Sequence, residues 1–380
     1  MNTNLTKEEA LSRASAGLRR KMEYSIGLLR KAERIALSYD GEDGFYLAFS
    51  GGKASQALYH IAELAGVKFR AHMSLTSVDP PDVIRFVKRN YPEVELIAPR
   101  KSIYAVAVEK QILPTMRVRW CCAEYKEGAG AGKVTLIGIR HEESSRRAAR
   151  KEVEISSRKY SGTLEGLDEY RSAQKKKRAK GTNITNAEGE STAGCIHGKE
   201  SLLISPIIHW TERDVWEFLN DVIRVPHCNL YDEGWHRIGC IGCPMSNAKW
   251  KKIENQRWPH VKRNWIKAIM DIRAGGYKKE CVSEGHLGSL WYGIGKDFVP
   301  LANDKARCRL HPSPSPVSLE RRENRGLWAG FSESSSSDGL TDEQEREIAE
   351  NIYDWWISGM SYKQWYAKRF LQYTLDFGKE

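Results

Sequence analysis

The stretch Gly44-Phe-Tyr-Leu-Ala-Phe-Ser-Gly-Gly-Lys-Ala-Ser55 is a short apolar strand that runs directly into a glycine-rich turn. Phe45 to Phe49 form a continuous run of mostly β-forming residues, which is typical of a buried parallel strand. Gly51 and Gly52 allow the backbone to turn sharply and to approach a ligand closely. Ser55 is predicted to cap a helix that covers about residues 56–64.

A strand, a glycine turn and a helix start in this order predict an anion site. Free N–H groups and the positive end of the helix point at the same place, which most often holds a phosphate. The spacing does not fit the Walker pattern, which needs more residues between glycine and lysine. An ordinary glycine turn remains the alternative. The residues predicted to bind phosphate are Ser50, Gly51, Gly52, Ser55 and, as a point charge, Lys53.

The composition favours an anionic partner and a reducing compartment. Among 380 residues, 60 are Lys or Arg and 49 are Asp or Glu, which gives a formal charge of +11. An excess of this sign suits nucleotides or nucleic acid, although a merely basic surface would look the same. Eight irregularly spaced cysteines are typical of thiols or metal ligands rather than of a disulfide framework. No run is apolar enough to cross a membrane and the N-terminus lacks a signal-peptide core, so a cytoplasmic location is expected.

Strands that alternate with helices predict the fold class. Apolar strand candidates lie at 67–75, 95–98, 134–139 and 202–208, and helices are expected at 81–90 and 103–110. This alternation indicates an α/β protein with a doubly wound, mainly parallel sheet, whose ligands bind at the carboxyl ends of the strands.

Five segments are expected along the chain. An N-terminal helical segment covers 1–40, and the α/β domain covers 41–250 with a basic, loop-like insertion at about 146–199. A helical, basic region follows at 251–331, then a linker at 332–340 and a helical C-terminal segment at 341–380. The pairs Thr6 with Glu9 and Thr341 with Gln344 are possible capping boxes.

Two cysteine pairs are the second chemical signal. Cys121 and Cys122 are adjacent, and Cys240-Ile-Gly-Cys243 is a C-x-x-C unit. Consecutive side chains diverge, so adjacent cysteines suit a cluster in which each thiolate binds a different iron. The four cysteines therefore favour [4Fe–4S] over structural zinc, and buried free thiols with a redox pair are a third possibility.

The chain resembles the family of phosphoadenosine phosphosulfate (sulfonucleotide) reductases and the related ATP pyrophosphatases. Its loop resembles their Ser-Gly-Gly-x-Asp-Ser, except that Ala54 stands where Asp is usual. The order Cys-Cys then Cys-x-x-Cys is similar to how that superfamily holds an iron–sulfur cluster. Three further segments, at 138–147, 205–216 and 229–244, resemble the family over about residues 40–250. The resemblance implies an adenine nucleotide alpha hydrolase-like fold.

The resemblance also implies further site residues. The segment Gly138-Ile-Arg-His-Glu-Glu-Ser-Ser-Arg-Arg147 is similar to the family's G-x-R-x-x-E-S-x-x-R, in which a guanidinium can grip phosphate or sulfate oxygens. Asp79 follows the second strand and could bind ribose or Mg²⁺, or simply form a turn. In related loops the Asp at the Ala54 position organises Mg-ATP. The nucleotide-binding residues implied here are Gly138, Arg140, Glu143, Ser144, Arg147 and Asp79; Lys53, Arg140 and the Ala54 position are the catalytic candidates.

Three activities follow from the resemblance. The favoured one is ATP-dependent adenylation and sulfur transfer to tRNA or DNA, with the site disabled at Ala54 and a sulfur-donor protein as partner. The second is reduction of adenylylsulfate or phosphoadenylylsulfate to sulfite with a thioredoxin-like reductant. The third is nucleotide or nucleic-acid binding without turnover, as a regulatory or defence subunit. A homo-oligomer or larger complex is a further expectation. The intact Ser50-Gly-Gly-Lys53 and a basic run at 171–180 favour the first. Tryptophans among basic residues, such as Trp258 and Trp265, could stack bases or pack in a core.

Overall fold

The computed structural model describes residues 5–180, 199–275, 341–360 and 364–365. The chain divides into two compact units, one formed by Met1–Arg100 with Arg119–Cys240 and one by Lys101–Val118 with Ile241–Glu380. Residues 276–331 of the expected helical, basic region, the linker at 332–340 and most of the C-terminal segment beyond residue 360 lie outside the described residues. No described helix combines the length and the apolar character needed to span a bilayer.

The first unit is built on a seven-stranded sheet. In chain order it contains helices α1 (Lys7–Arg13) and α2 (Ala16–Tyr39), β1 (Phe45–Ala48), α3 (Lys53–Ala65), β2 (Phe69–Ser74), α4 (Pro81–Asn90) and β3 (Glu95–Ile97). The expected capping box of Thr6 and Glu9 is present and starts α1. The apolar run of β1 is buried, as its composition predicted, with Phe45 and Leu47 fully enclosed.

The direction in which the strands are added to the sheet reverses between β1 and β4, at the topological switch point. After α5 (Ile103–Lys110), which belongs to the second unit, the chain continues through the short turn α6 (Trp120–Cys122), β4 (Val134–Leu136) and α7 (Ser145–Ala148). The strand order is β3-β2-β1-β4 on one side, and β1 pairs in parallel with both β2 and β4. The chain therefore winds outward in opposite directions from β1 and β4, and a crevice opens at their carboxyl ends. This arrangement confirms the doubly wound, mainly parallel sheet.

Residues 146–180 are more ordered than their composition predicted. The structure has β5 (Val153–Ile155), β6 (Ser161–Gly162) and α8 (Leu164–Lys180) where a long loop was expected. β5 pairs antiparallel with β7 (Leu202–Ile204), and β6 pairs antiparallel with β5. The loop prediction is wrong because β5 has only three residues, too few to show a pattern, and gains its partner from a strand almost fifty residues away. Residues 181–198 lie outside the described part.

The second unit is helical. With α5 it contains α10 (Ala248–Arg257), α11 (Pro259–Gly275) and α12 (Asp342–Ser358), while α9 (Glu212–Glu217) precedes them in the first unit. The Trp265 ring is 1% exposed and packs 5.0 Å from the rings of Tyr104 and Trp356. The capping box of Thr341 and Gln344 starts α12 as expected. Trp265 is thus a core residue of this unit.

Candidate functional site

The glycine loop joins β1 to α3 at the switch point. Gly52 is the N-cap of α3, so the helix begins at Lys53 and the prediction that Ser55 caps it is wrong. Instead the Ser55 hydroxyl donates to the Gly52 carbonyl (2.8 Å) and accepts from the Ser50 N–H (3.2 Å). These bonds fix the loop against the first turn of α3. The backbone N–H groups of that turn have no partner within the helix and carry partial positive charge.

Two glycines are required by close packing around this loop. Gly51 has φ +72°, and a Cβ there would stand 2.7 Å from Cγ1 of Val83. A Cβ on Gly138, just after β4, would stand 2.9 Å from the carbonyl oxygen of Ala54. The loop after β1 and the segment after β4 are therefore in direct contact. The tertiary structure thus brings together two segments that are more than 80 residues apart in the sequence.

Lys53 is held by residues that sequence reasoning did not assign to the site. Its ammonium is buried, lies 2.5 Å from Oε1 of Glu212, and donates to the His236 carbonyl (2.9 Å). The hydrogen bond to Lys53, with the charges of Lys53 and Arg140, lowers the pKa of Glu212 below its usual value. The rings of Trp216 and Tyr231 each lie 5.2 Å from the ammonium. Lys53 thus ties the loop to residues 212–236.

The Tyr231 hydroxyl is hydrogen-bonded to the first backbone N–H of α3. It accepts from the Lys53 backbone N–H at 2.9 Å, and a Cβ on Gly52 would stand 3.4 Å from it. Burial raises the pKa of Tyr231 to about 12, so the hydroxyl stays protonated at neutral pH. A phosphate that used this N–H would have to displace the hydroxyl.

Arg140 contributes a buried cation next to this helix start. The residue is 3% exposed, and its only described side-chain partner is Glu142, at 3.3 Å from Nη1. Its Nε is buried and has no hydrogen-bond partner among the described residues. A buried guanidinium nitrogen without an acceptor costs free energy, so the position favours an anionic ligand. The charge of Arg140 also reaches Glu212, which places both near Lys53.

The residues after Arg140 shape its turn. A Glu143 carboxylate oxygen accepts from the Arg140 backbone N–H at 3.0 Å and forms an ion pair with Arg147. The Ser144 hydroxyl caps α7 by accepting from the Arg147 N–H at 3.3 Å. Glu143, Ser144 and Arg147 therefore interact mainly with one another, and their assignment to nucleotide binding stays a prediction.

Asp79 forms a turn near one of the cysteines. Its carboxylate accepts from the Thr76 N–H at 2.5 Å, and the Thr76 hydroxyl lies 3.5 Å from Sγ of Cys240. The Lys126 ammonium lies 3.2 Å from the same Sγ. Although burial opposes it, the charges of Cys240, Asp79 and Cys122 raise the pKa of Lys126. The structure therefore gives Asp79 a turn-forming role, and its ligand role stays a prediction.

The adjacent cysteines lie in the helical turn α6. A hydrogen bond with Cys121, and further the Arg119 guanidinium 3.1 Å from Sγ of Cys122, lower the pKa of Cys122 to about 5. Cys122 is therefore a thiolate at neutral pH. Both thiols are half-buried, as is Cys240.

The second half of the C-x-x-C unit belongs to the helical unit. Gly242 has φ +70°, and its N–H donates to a carboxylate oxygen of Glu254 at 2.7 Å. Burial raises the pKa of Glu254 and lowers the pKa of the neighbouring Lys251. The turn that carries Cys243 is thus fixed by α10. Cys195, Cys281 and Cys308 lie outside the described residues.

The chemistry of the cysteine side chains suits a metal group bound through thiolates, but their positions in the structure do not by themselves indicate one. Among the described residues, no group of three or more His, Cys, Asp or Glu side chains is arranged so that it could hold a metal ion. The donor set nevertheless suits an anionic cluster, because Arg119 and Lys126 contact the sulfurs of Cys122 and Cys240 and would offset the charge of thiolates. The [4Fe–4S] assignment and Mg²⁺ stay predictions.

Comparisons with known proteins match the part of the chain that carries the glycine loop. The family model "Phosphoadenosine phosphosulfate reductase domain" matches residues 44–246, more than half of the chain. An uncharacterized protein of Methanocaldococcus jannaschii is 26% identical over 243 residues, which cover 63% of this chain and 50% of that protein. Adenosine 5'-phosphosulfate reductase of Lysinibacillus sphaericus is 24% identical over 188 residues, 47% of this chain and 62% of the reductase. The matches thus span about half to three fifths of these relatives.

Solved structures show a more distant similarity. FMN adenylyltransferase of Candida glabrata, in complex with FAD and inorganic pyrophosphate, aligns with a TM-score of 0.39 and 14% identity. The alignment covers 62% of this chain and 68% of that enzyme.

Proposed function

Because the chain belongs to the phosphoadenosine phosphosulfate reductase family, we propose that it binds an adenine nucleotide at the β1/β4 switch point. Its phosphates would lie on the first turn of α3 and against Arg140. The observation that carries the proposal is the buried Nε of Arg140, which has no described partner and lies beside the glycine loop. Phosphate oxygens would supply the missing acceptor, and the helix terminus would supply N–H donors.

The reaction that we infer is ATP-dependent activation of a nucleic acid. A substrate oxygen attacks the α-phosphorus of ATP, the bond from that phosphorus to the β-phosphate oxygen breaks, and pyrophosphate leaves. A sulfur-donor protein then supplies a sulfur nucleophile that forms a bond to the activated carbon or phosphorus, and AMP leaves. Arg140 and the start of α3 would hold the phosphate charge, and Lys53 would join them if its ion pair with Glu212 opened. The intact Ser50-Gly-Gly-Lys53 supports this reading over reduction.

Reduction of a sulfonucleotide is the second candidate, and the names of the relatives favour it. Two matched proteins, from Lysinibacillus sphaericus and Oceanobacillus iheyensis, are named adenosine 5'-phosphosulfate reductase. In this reaction a cysteine thiolate bonds to the sulfur of the sulfonucleotide and the bond from that sulfur to the phosphate oxygen breaks. The nucleotide leaves as AMP from adenylylsulfate or as adenosine 3',5'-bisphosphate from phosphoadenylylsulfate. A thioredoxin-like dithiol then attacks the cysteine sulfur, releases sulfite and is oxidised to a disulfide. The site described above would bind the AMP portion in either case.

The products separate the two candidates. The protein would be given ATP with tRNA or with duplex DNA, and in parallel adenylylsulfate or phosphoadenylylsulfate with thioredoxin. Pyrophosphate and sulfur-labelled nucleic acid, measured by mass spectrometry, would support activation, whereas sulfite would support reduction. Equilibrium binding of ATP and adenylylsulfate by calorimetry tests the shared premise. If neither nucleotide binds, the switch-point site is refuted whatever the products are.

Four cysteines would hold an iron–sulfur cluster in this proposal, namely Cys121, Cys122, Cys240 and Cys243. Such a cluster would supply a centre for sulfur or electron transfer. Cys122 is already ionised, and the Arg119 and Lys126 side chains would stabilise bound thiolates.

Anaerobically purified protein is expected to contain about four iron atoms and four sulfides per chain. Changing Cys122 or Cys240 to Ala should remove most of that iron, because each thiolate binds one iron of the cluster. Cys228→Ala is the matched control, since Cys228 is buried and outside the set. Zinc instead of iron, or equal iron in all variants, would contradict the assignment.

A further inference from the structure

Two helices of the second unit carry exposed positive charges that pair with no acidic side chain among the described residues. On α10, Lys249 and Lys252 are exposed, and on α11, Arg263 and Lys267 are exposed. Residues three or four apart lie on the same side of a helix, so each pair forms one positive stripe. Glu254, the sole acidic residue of α10, is buried, whereas Asp271, the sole acidic residue of α11, is exposed four residues after Lys267, which leaves the stripe of α11 with a net positive charge.

Two other cations of α11 form ion pairs with acidic side chains of α12. Lys262 pairs with Asp354 at 3.5 Å and also lies over the Tyr353 ring. Arg273 forms two hydrogen bonds with the Glu345 carboxylate, at 2.7 and 3.2 Å. These cations contact α12, which is strongly acidic. By contrast, Lys249, Lys252, Arg263 and Lys267 make no ion pair with any described residue.

We propose that the exposed basic stripes of α10 and α11 bind the phosphate backbone of duplex DNA. The inference rests on the proposed function in one respect, which is that the substrate is a nucleic acid. To that function it adds which surface of the protein binds the nucleic acid and that the nucleic acid is duplex DNA. Unpaired surface cations on a chain of formal charge +11 are complementary to a polyanion.

A duplex suits this surface better than a single strand. Sequence-tolerant binding of single strands relies on exposed aromatic rings on which bases stack. Here Trp258 is 5% exposed, Trp265 is 1% exposed and Trp250 of α10 is half-buried. The described part of this surface therefore offers charge without a fully exposed tryptophan on which a base could stack. The wide major groove of B-form DNA admits an α-helix, whereas the deep, narrow major groove of duplex RNA does not.

Two charge-matched double variants of the full chain test the proposal. Arg263→Gln with Lys267→Gln removes two outer cations, and Lys262→Gln with Arg273→Gln removes two inner cations from the same helix. Binding of a fluorescent 20-base-pair duplex of arbitrary sequence would be followed by anisotropy at several salt concentrations. Circular dichroism would verify that each variant is folded.

The outer variant should bind the duplex on the order of 10-fold more weakly or worse at about 0.1 M salt. Its slope of log affinity against log salt should fall by about 2, because each phosphate contact contributes about 0.9. The inner variant should be less stable but keep the wild-type slope. Equal losses in both variants, or none in either, would overturn the proposal.

Two further outcomes separate this inference from the proposed function. Tighter binding of a duplex RNA or tRNA than of the DNA would overturn the choice of DNA. Nucleotide affinity should be the same in the outer variant and the wild type. If the wild-type protein binds duplex DNA through this surface yet binds no nucleotide, the proposed function fails while the surface stands.

Discussion

Replacing Ala54 with aspartate is expected to raise ATP-dependent pyrophosphate release by on the order of 100-fold. Ala54 is the second residue of α3, half-buried, and its carbonyl contacts the segment that leads to Arg140. A carboxylate in this turn would lie where the phosphates are proposed to bind and could hold Mg²⁺ with them. A negative charge also suits a helix N-terminus, so the variant should fold normally. The assay is pyrophosphate release from ATP, with tRNA and duplex DNA supplied separately.

Ala54→Asn is the control, because asparagine has nearly the size of aspartate without its charge. It should stay at the wild-type level. A similar rise with Asn would mean that size rather than metal binding limits the reaction. Activity that stays at background in Ala54→Asp would favour the reading in which the chain binds nucleotide without turnover.

Changing Gly51 to Ala should weaken nucleotide binding by about 10-fold or more and lower the free energy of unfolding by about 2–5 kcal/mol. At φ +72° an L-residue costs about 1–2 kcal/mol. The new Cβ would also lie 2.7 Å from Val83 and 2.9 Å from Val87, and overpacking of this kind costs about 1–3 kcal/mol. The loop must shift to relieve these contacts, and the N–H groups at the start of α3 would shift with it. Calorimetric binding of ATP and urea unfolding measure the two effects.

Two other glycines serve as controls for Gly51. Gly66 ends α3 with φ +67° and has open space around it, so Gly66→Ala should cost about 1 kcal/mol and leave binding intact. At Gly44, before β1, φ is +69° and a Cβ would stand 2.3 Å from the Lys68 carbonyl. Gly44→Ala should therefore destabilise the protein at least as much as Gly51→Ala. If the folded Gly44 variant loses nucleotide binding equally, the loss at Gly51 reflects stability rather than loop geometry.

The helices and strands that could be read from the sequence carry local signals. Pro81 starts α4, a serine or threonine starts α5 and α9, and the apolar run 45–49 is a buried strand, because turn chemistry and hydrophobicity act within a few residues. The start of α3 was misplaced since Ser55 resembles an N-cap, whereas its hydroxyl bonds to Gly52 inside the first turn. β5 and β6 were missed because such short strands are stabilised by pairing across the sheet, which no local pattern records.

By itself the sequence determined the fold class and the two segments that meet at the switch point. A glycine turn after an apolar strand and an arginine after another are short-range features, and parallel strands bring their ends to one edge. Only the tertiary structure decided what surrounds them. Glu212 and Tyr231 lie about 160 and 180 residues after Lys53, yet they hold its ammonium and its backbone N–H. Such contacts depend on how distant elements pack, and the burial of Arg140 with an unpartnered Nε arises in the same way.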